Sequence, residues 1–278
     1  MKLKRTLLLL LAGIISLTAS GPAARAQSSP ATRLYQEMTQ TERASFVGGQ
    51  ARLIARRMSG TDYEFTPAFE GYIQKAVESY AQRLSNKEGD ASSKRDARPV
   101  FERGRELAPM LMRAFQSRNV SPLIGLYLPL IESEYVNLET PSGMGALGMF
   151  QFLPQTGLRF GLTTQELLDA EKSADAAARY IAQNLKRFKA DRMKETLALL
   201  AYNRGESVVE RDLSQLTSEQ DRQCSICALT AQREKLDPSF NTENVYYVPR
   251  FFAAAIIGEN PQAFGLQIQP LSSYQTRP

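Results

Sequence analysis

The sequence contains no histidine and no tryptophan, and it has only two cysteines. Without histidine there can be no Ser-His-Asp or Cys-His catalytic site, no histidine-ligated metal ion and no imidazole proton carrier. Acid–base chemistry would have to come from carboxyl, lysine, tyrosine or cysteine side chains. Without tryptophan, stacking on a ligand ring must use the 11 tyrosines and 13 phenylalanines.

The chain also lacks a strong excess of charge of either sign when residues 1–26 are left out of the count. The chain has 34 Lys and Arg against 29 Asp and Glu, but residues 1–26 contain four of the basic residues and none of the acidic ones. Taking these four from 34 leaves 30 basic residues against 29 acidic ones. A nearly neutral body gives no electrostatic reason to expect nucleic acid as a partner.

Residues 1–26 have the three parts of a signal peptide. A start with three basic residues precedes the apolar run Leu7–Leu17, and Ala24-Arg25-Ala26 then supplies the small-x-small pattern of a cleavage site. The apolar run is about half of the roughly 20 residues that a spanning helix needs, which speaks against the alternative of an uncleaved anchor. We predict cleavage after Ala26, export, and no stable membrane insertion of the mature chain.

The two cysteines lie close together, in Cys224-Ser-Ile-Cys227. An exported protein meets an oxidising compartment, so we expect a local disulfide that adds little beyond local rigidity. Redox chemistry and half of a zinc site are the alternatives. No redox fold surrounds the pair, and the chain offers no other cysteine or histidine as a zinc ligand.

The rest of the chain has the apolar spacing of helices and almost no alternation of period two, which predicts a mainly α fold. We divide it into a small helical region over 27–115, a second domain over 116–266 and a C-terminal tail over 267–278. Residues 123–131 are almost all apolar and predict a helix buried on most sides. Ser173 is a candidate N-cap for a later helix. The helical region over 27–115 carries no motif that reveals its role.

Several segments of the second domain follow one another in a fixed order. The first is Leu128-Pro-Leu-Ile-Glu-Ser133, and the second is Gly145-Ala-Leu-Gly-Met-Phe-Gln-Phe-Leu-Pro-Gln-Thr-Gly157. Phe160-Gly-Leu162, Ala201-Tyr-Asn-Arg-Gly205 and Glu243 with Tyr247-Val-Pro249 come after them. Each segment is weak evidence alone. Together, behind a signal peptide, they resemble the lytic murein transglycosylases with a lysozyme-like catalytic domain, and most closely the D-type membrane-bound branch.

The resemblance covers roughly residues 120–266 and implies a goose-type lysozyme or lytic transglycosylase fold. It implies an enzyme that cleaves peptidoglycan strands in the periplasm without water, metal or cofactor. Glu132 would protonate the oxygen between N-acetylmuramic acid and N-acetylglucosamine, and then take the proton from the muramyl C6 hydroxyl. That hydroxyl would close on C1 and give a 1,6-anhydro end.

Glu132 also fits this role on physical grounds. A carboxyl at the end of a buried apolar helix is poorly solvated, which raises its pKa and keeps it protonated near neutral pH. The alternative is an ordinary solvated Glu at a helix end. Glu134 and Glu139 lie nearby, but neither matches a catalytic position of the family, so the sequence shows no second catalytic carboxylate.

By the same resemblance, five residues support the acid or bind substrate: Ser142, Gln151, Tyr202, Asn203 and Tyr247. Each has a plainer alternative. Ser142 stands beside Pro141 and Gly143 and would also suit a simple turn. Gln151 would also serve as an amide tying two loops, and both tyrosines as core packing.

Two positions depart from the family pattern. Phe150 replaces the usual Trp or Met, and Arg204 replaces a usual small residue; both would change the floor of the cleft. Two other functions remain open. One is a lysozyme-type hydrolase, which a water-positioning carboxylate across the cleft would favour. The other is a catalytically silent glycan-binding scaffold, against which the intact Glu132, Gln151 and Tyr202 speak. Protein partners cannot be inferred from the sequence.

Overall fold

The structure is a computed structural model of the chain, and it describes residues 33–85, 96–216, 218, 221 and 223–274. The predicted signal peptide at 1–26 lies outside the described residues. The described residues pack as one compact unit. No helix in the described ranges is both long and apolar enough to cross a membrane.

The described part of the chain is helical and contains no β-strand, only an isolated antiparallel bridge between Leu147 and Phe152. The predicted mainly α class is therefore confirmed. The helices are α1 Gln40–Ser59, α2 Pro67–Ser85, α3 Arg98–Gln116, α4 Pro122–Ser133, α5 Pro154–Arg159, α6 Ala170–Arg187, α7 Lys194–Arg204, α8 Glu206–Leu213, α9 Ser225–Ala231 and α10 Val245–Glu259. A π-helical turn, Phe240–Asn244, leads directly into α10.

Helix α4 lies at the centre of the fold, as its composition predicts. Nine of its 12 residues are buried, and α3 and α10 pack on it. Gly125 allows the close approach of α3, since a Cβ there would lie 2.7 Å from Cδ2 of Phe115. Each fully buried leucine or isoleucine of α4 contributes about 1.5–3 kcal/mol through burial. The buried stretch of α4 ends at Ile131, so Glu132 directly follows it.

The chain leaves α4 through two residues with left-handed backbone, Glu134 (φ 54°) and Tyr135 (φ 62°). Non-glycine residues rarely take this conformation. Here Arg103 donates from Nε and Nη2 to the carbonyl oxygen of Glu134 at 3.1 and 3.0 Å, and the buried Tyr135 hydroxyl donates to the carbonyl oxygen of Leu126 at 2.7 Å. These bonds fix the direction in which the chain leaves the end of α4.

The N-terminal helices pack on the second half of the chain. Helix α2 contacts α10 and α9, while α3 contacts α4 and α6. The predicted division at residues 115 and 116 remains a prediction, and α3 crosses it. The predicted N-cap of α6 is wrong: Asp169 accepts from the backbone N–H groups of Glu171 and Lys172, while Ser173 is buried one turn inside the helix.

Cys224 and Cys227 form a disulfide at the start of α9. Both cysteines are buried. The backbone N–H of Thr66 lies 3.4 Å from Sγ of Cys227, so the disulfide touches the segment that leads into α2.

Candidate active site

The carboxyl group of Glu132 lies in the last turn of α4, where α10 and the loop that follows Gly145 contact this helix. The hydroxyl of Tyr247, on α10, donates a hydrogen bond to Oε1 of Glu132. Arg250, one turn further along α10, donates to the carbonyl oxygen of Ile131 at 2.7 Å. Ser133 donates to the carbonyl oxygen of Met149 at 2.8 Å and so ties α4 to the loop that follows Gly145.

The pKa of Glu132 is raised from 4.5 to about 7, chiefly because burial disfavours the charged carboxylate. The Tyr247 hydrogen bond and the positive charge of Arg250 lower the pKa, and the negative charge of Glu243 raises it. No ion pair in the described part of the chain includes Glu132. Because its pKa lies near neutrality, this carboxyl can both give and take a proton, as an acid–base catalyst must.

Tyr202 and Tyr247 line the same site from different helices. The hydroxyl of Tyr202, on α7, donates to the carbonyl oxygen of Phe150 at 2.8 Å, and its ring lies 5.3 Å from that of Tyr180. Burial, followed by the charge of Glu132, raises the pKa of both Tyr202 and Tyr247 well above 10. Both hydroxyls therefore stay protonated, and only that of Tyr247 bonds directly to Glu132.

The loop over residues 145–152 is held by backbone hydrogen bonds of its own and by contacts with Asn137 and Leu167. Leu147 and Phe152 exchange N–H to carbonyl bonds of 3.0 and 3.1 Å. Between them, Gly148 (φ 74°) passes so close to the carbonyl oxygen of Leu167 that a Cβ would lie 2.2 Å from it. Asn137 accepts from the N–H of Met149 at 3.1 Å and donates to the carbonyl oxygen of Leu168 at 2.5 Å. These contacts hold the loop in place beside Glu132.

Ser142 makes the turn-forming bonds that its plainer alternative describes, whereas Gln151 bonds within its own loop and does not tie two loops together. Gln151 has a left-handed backbone (φ 49°), and its Nε2 donates to the carbonyl oxygen of Gly148 at 2.8 Å. The hydroxyl oxygen of Ser142 accepts from the N–H of Ala146 at 3.0 Å, and its own N–H donates to the carbonyl oxygen of Ala146 at 2.9 Å. Neither side chain bonds to Glu132 among the described contacts. A role in binding substrate remains a prediction for both.

Asn203 lies at the end of α7 and joins a row of polar groups. Its Oδ1 accepts from Nδ2 of Asn244 at 2.7 Å, and its own Nδ2 lies 3.4 Å from Oε1 of Glu243. Glu243 is exposed. The row brings together α7 and the π-helical turn before α10, which are separated by about 40 residues of chain.

Four side chains that shape the site were not singled out from the sequence: Ser133, Asn137, Asn244 and Arg250. Two of them had a usable signal. Ser133 directly follows the acid, and Arg250 lies one helical turn after Tyr247, on the same face. Asn137 and Asn244 stand in segments with no local pattern, and only the folded chain shows their partners. No group of three or more Cys, Asp or Glu side chains in the described ranges is placed to hold a metal ion.

Comparison with known proteins finds a family that matches part of this site. Residues 110–224 match the Transglycosylase SLT domain. The SLT match is less than half of the chain, and it includes Glu132, Ser142, Gln151, Tyr202 and Asn203. Tyr247 and the helix that carries it lie beyond its end. The predicted lysozyme-like class agrees with this domain.

The chain is also similar to a solved structure, the lytic transglycosylase Slt from Pseudomonas aeruginosa, in an inactive mutant form. The two share 20% sequence identity with a TM-score of 0.45, and the similarity covers 85% of this chain and 45% of that one. The chain thus spans less than half the length of the relative that it matches. The predicted closeness to the D-type membrane-bound branch stays a prediction.

Proposed function

We propose that the protein is an exported peptidoglycan lytic transglycosylase that acts in the periplasm. The observation that carries the proposal is the state of Glu132, which lies within the segment that matches the SLT domain, has a pKa of about 7 and accepts a hydrogen bond from Tyr247, beyond the end of that segment. Members of this family are lytic transglycosylases, which act on peptidoglycan. Cleavage of the signal peptide after Ala26 would deliver the enzyme to that substrate.

The geometry supports a reaction with one carboxyl group. The Tyr247 hydroxyl occupies Oε1 of Glu132, so Oε2 is the oxygen that can carry the proton. Protonated Glu132 would give this proton to the glycosidic oxygen as the bond from muramyl C1 breaks. The resulting carboxylate would then accept the proton of the muramyl C6 hydroxyl while its oxygen bonds to C1. Glu132 ends protonated again, the product is a 1,6-anhydro sugar, and no water is consumed.

The first test is the identity of the products. The mature chain and its Glu132→Gln variant are incubated with isolated peptidoglycan sacculi, and the released fragments are weighed. We expect anhydro-muramyl ends from the wild type, lighter by one water than reducing ends. The variant should release them at least about 100-fold more slowly, since an acid–base group contributes on the order of 10²–10⁴ in rate. Reducing ends from the wild type would contradict the proposal.

The pH dependence of turnover provides a second test. Only the protonated form of Glu132 can begin the reaction, and its pKa is about 7. Turnover should therefore fall as pH rises above about 7, approaching tenfold per unit. A rate that stays level to pH 9 would show that Glu132 is not the proton donor. Binding of the substrate by the Glu132→Gln chain over the same pH range serves as the control for loss of affinity.

One observation favours the lysozyme-type hydrolase as the second candidate. Glu243 is an exposed carboxylate whose charge reaches Glu132, and a second carboxylate could activate water in an inverting reaction or attack C1 as the nucleophile in a retaining one. Glu243→Gln separates the two functions. A transglycosylase should keep its turnover within about tenfold, because Glu243 only adjusts the acid, whereas a hydrolase should lose it by about 100-fold or more. A silent scaffold would bind sacculi and release nothing in any variant.

A further inference from the structure

Arg204, the residue directly after Asn203, is a buried cation with an unusually complete set of partners. Its side chain is 2% exposed. Nε donates to Asp212 and Nη2 to Asp237, both at 2.6 Å, and the guanidinium lies 5.2 Å from the centre of the Phe240 ring. The two carboxylates together neutralise Arg204 and the exposed Arg211, whose Nη2 lies 3.1 Å from the same Asp237 oxygen. The third guanidinium nitrogen, Nη1, lies 3.3 Å from Oδ1 of Asp237 and 3.0 Å from Oγ of Ser239, and its shortest hydrogen bond, at 2.7 Å, goes to Asn244.

That third nitrogen fixes an amide. Nη1 of Arg204 donates to Oδ1 of Asn244 at 2.7 Å. A guanidinium has donors only, so Asn244 must turn its oxygen toward Arg204 and its NH₂ group away. The NH₂ group of Asn244 then donates to Oδ1 of Asn203 at 2.7 Å. In consequence the NH₂ group of Asn203 must point onward, where Oε1 of Glu243 lies 3.4 Å away on the exposed side.

We propose that Arg204 is a positioning residue, which acts through Asn244 to fix the orientation of the Asn203 amide, so that Asn203 presents N–H donors rather than its carbonyl oxygen to a bound glycan. The groups selected are acceptors, namely the hydroxyl or acetamido carbonyl oxygens of an amino sugar. Glu243, which has only acceptor oxygens when ionised, occupies this direction in the free protein. The inference rests on the proposed function for its ligand but not for its geometry.

Binding by the full mature chain tests the proposal, with Glu132→Gln present throughout so that the ligand stays intact. The probe is an uncrosslinked peptidoglycan tetrasaccharide, and the measurement is its Kd. Arg204→Lys keeps the charge for both aspartates but loses the planar fork that reaches Asn244. Asn244→Leu removes the linking amide and leaves Arg204 on its carboxylates. Each change should raise Kd by about five- to tenfold, the effect of one misdirected hydrogen bond.

Two controls separate positioning from a merely structural role. Arg211→Gln removes the other cation on Asp237 and does not touch the amides, so it should leave Kd unchanged. In a chain that already carries Asn203→Ala, Arg204→Lys should cause no further loss, because its target is gone. An equal loss with and without Asn203, or the same loss from Arg211→Gln, would overturn the proposal.

The side-chain NH₂ signals of Asn203 and Asn244 in ¹⁵N-correlated NMR spectra provide a readout that needs no ligand and no turnover. Both pairs should move in Arg204→Lys and stay in place in Arg211→Gln. If sacculi yield no anhydro ends while the Kd pattern and the NMR shifts hold, the proposed reaction fails and the positioning stands. If no glycan binds, the proposed function and the ligand assigned to Asn203 both fail, and the NMR shifts alone decide the orientation. If glycan binds but neither Kd nor NMR signals respond to Arg204→Lys, the positioning fails alone.

Discussion

Two neighbouring regions of this protein hold carboxyl groups in opposite states. At the end of α4, Glu132 is packed against a tyrosine hydroxyl, and its pKa is raised to about 7. At the end of α7, hydrogen bonds from Arg204 and Ser239 hold the pKa of Asp237 well below its usual range, although its side chain is 36% exposed. One carboxyl group is prepared to exchange a proton, and the other is kept as a permanent anion.

The difference teaches that the partner decides the charge of a carboxyl as much as burial does. Arg250 is close enough to lower the pKa of Glu132, but its hydrogen bond goes to the carbonyl oxygen of Ile131 and not to the carboxyl group. Arg204 instead donates straight into Asp212 and Asp237. A cation that donates to a backbone carbonyl oxygen stabilises the end of the helix and leaves the Glu132 carboxyl group able to hold its proton.

The largest effect should come from removing the cation of the second region. Arg204→Met leaves Asp212, whose side chain is 1% exposed, without its main partner. A buried ion pair that loses one member costs about 3–5 kcal/mol, and Arg211 at 3.6 Å offsets part of this. We expect the free energy of unfolding in urea at pH 7 to fall by about 3 kcal/mol. Arg211→Met, which removes an exposed cation from the same carboxylates, should change it by less than about 1 kcal/mol.

The next effect concerns the first region and has the opposite sign. The folded pKa of Glu132 lies above the unfolded value of 4.5, so its contribution to stability is full below pH 4.5 and is lost as pH rises through about 7. Glu132→Gln should therefore raise the free energy of unfolding by about 2 kcal/mol at pH 8, and by little at pH 4. Glu139→Gln, which removes a carboxyl group at an exposed position, is the matched control. Equal effects of Glu132→Gln at both pH values would mean that Glu132 titrates as an ordinary carboxyl.

Of the two regions, only the one around Glu132 could be predicted from the sequence. The apolar run before Glu132 predicts both the buried helix and the raised pKa of Glu132. Apolar neighbours along the same helix bury the carboxyl group, and burial removes its contact with water. Where the signal is local, sequence reasoning works.

The Arg204 cluster could not be predicted, because its members come from separate parts of the chain. Asp212, Asp237 and Asn244 meet Arg204 only when α7, α8 and the π-helical turn are packed together. The sequence showed Arg204 as an unusual residue but not its partners. The cap of α6 was misassigned for a different reason. Asp169 and Ser173 are both good capping residues one turn apart, and propensity alone does not choose between them.

The smallest effect concerns Asp237, whose contribution to stability depends on pH in the opposite direction to that of Glu132. The pKa of Asp237 is lowered from 3.8, so its contribution is present above that value and is lost as pH falls below it. Asp237→Asn should lower the melting temperature by about 2–4 °C at pH 7, a modest shift because the pair is partly exposed. The difference from the wild type should shrink below about pH 4. Asp62→Asn, in an ion pair whose aspartate is 72% exposed and 3.6 Å from Arg56, should leave the melting temperature unchanged. If Asp237→Asn behaves like Asp62→Asn, then Asp212 alone balances Arg204, and the second region holds its charge by burial rather than by a pair of anions.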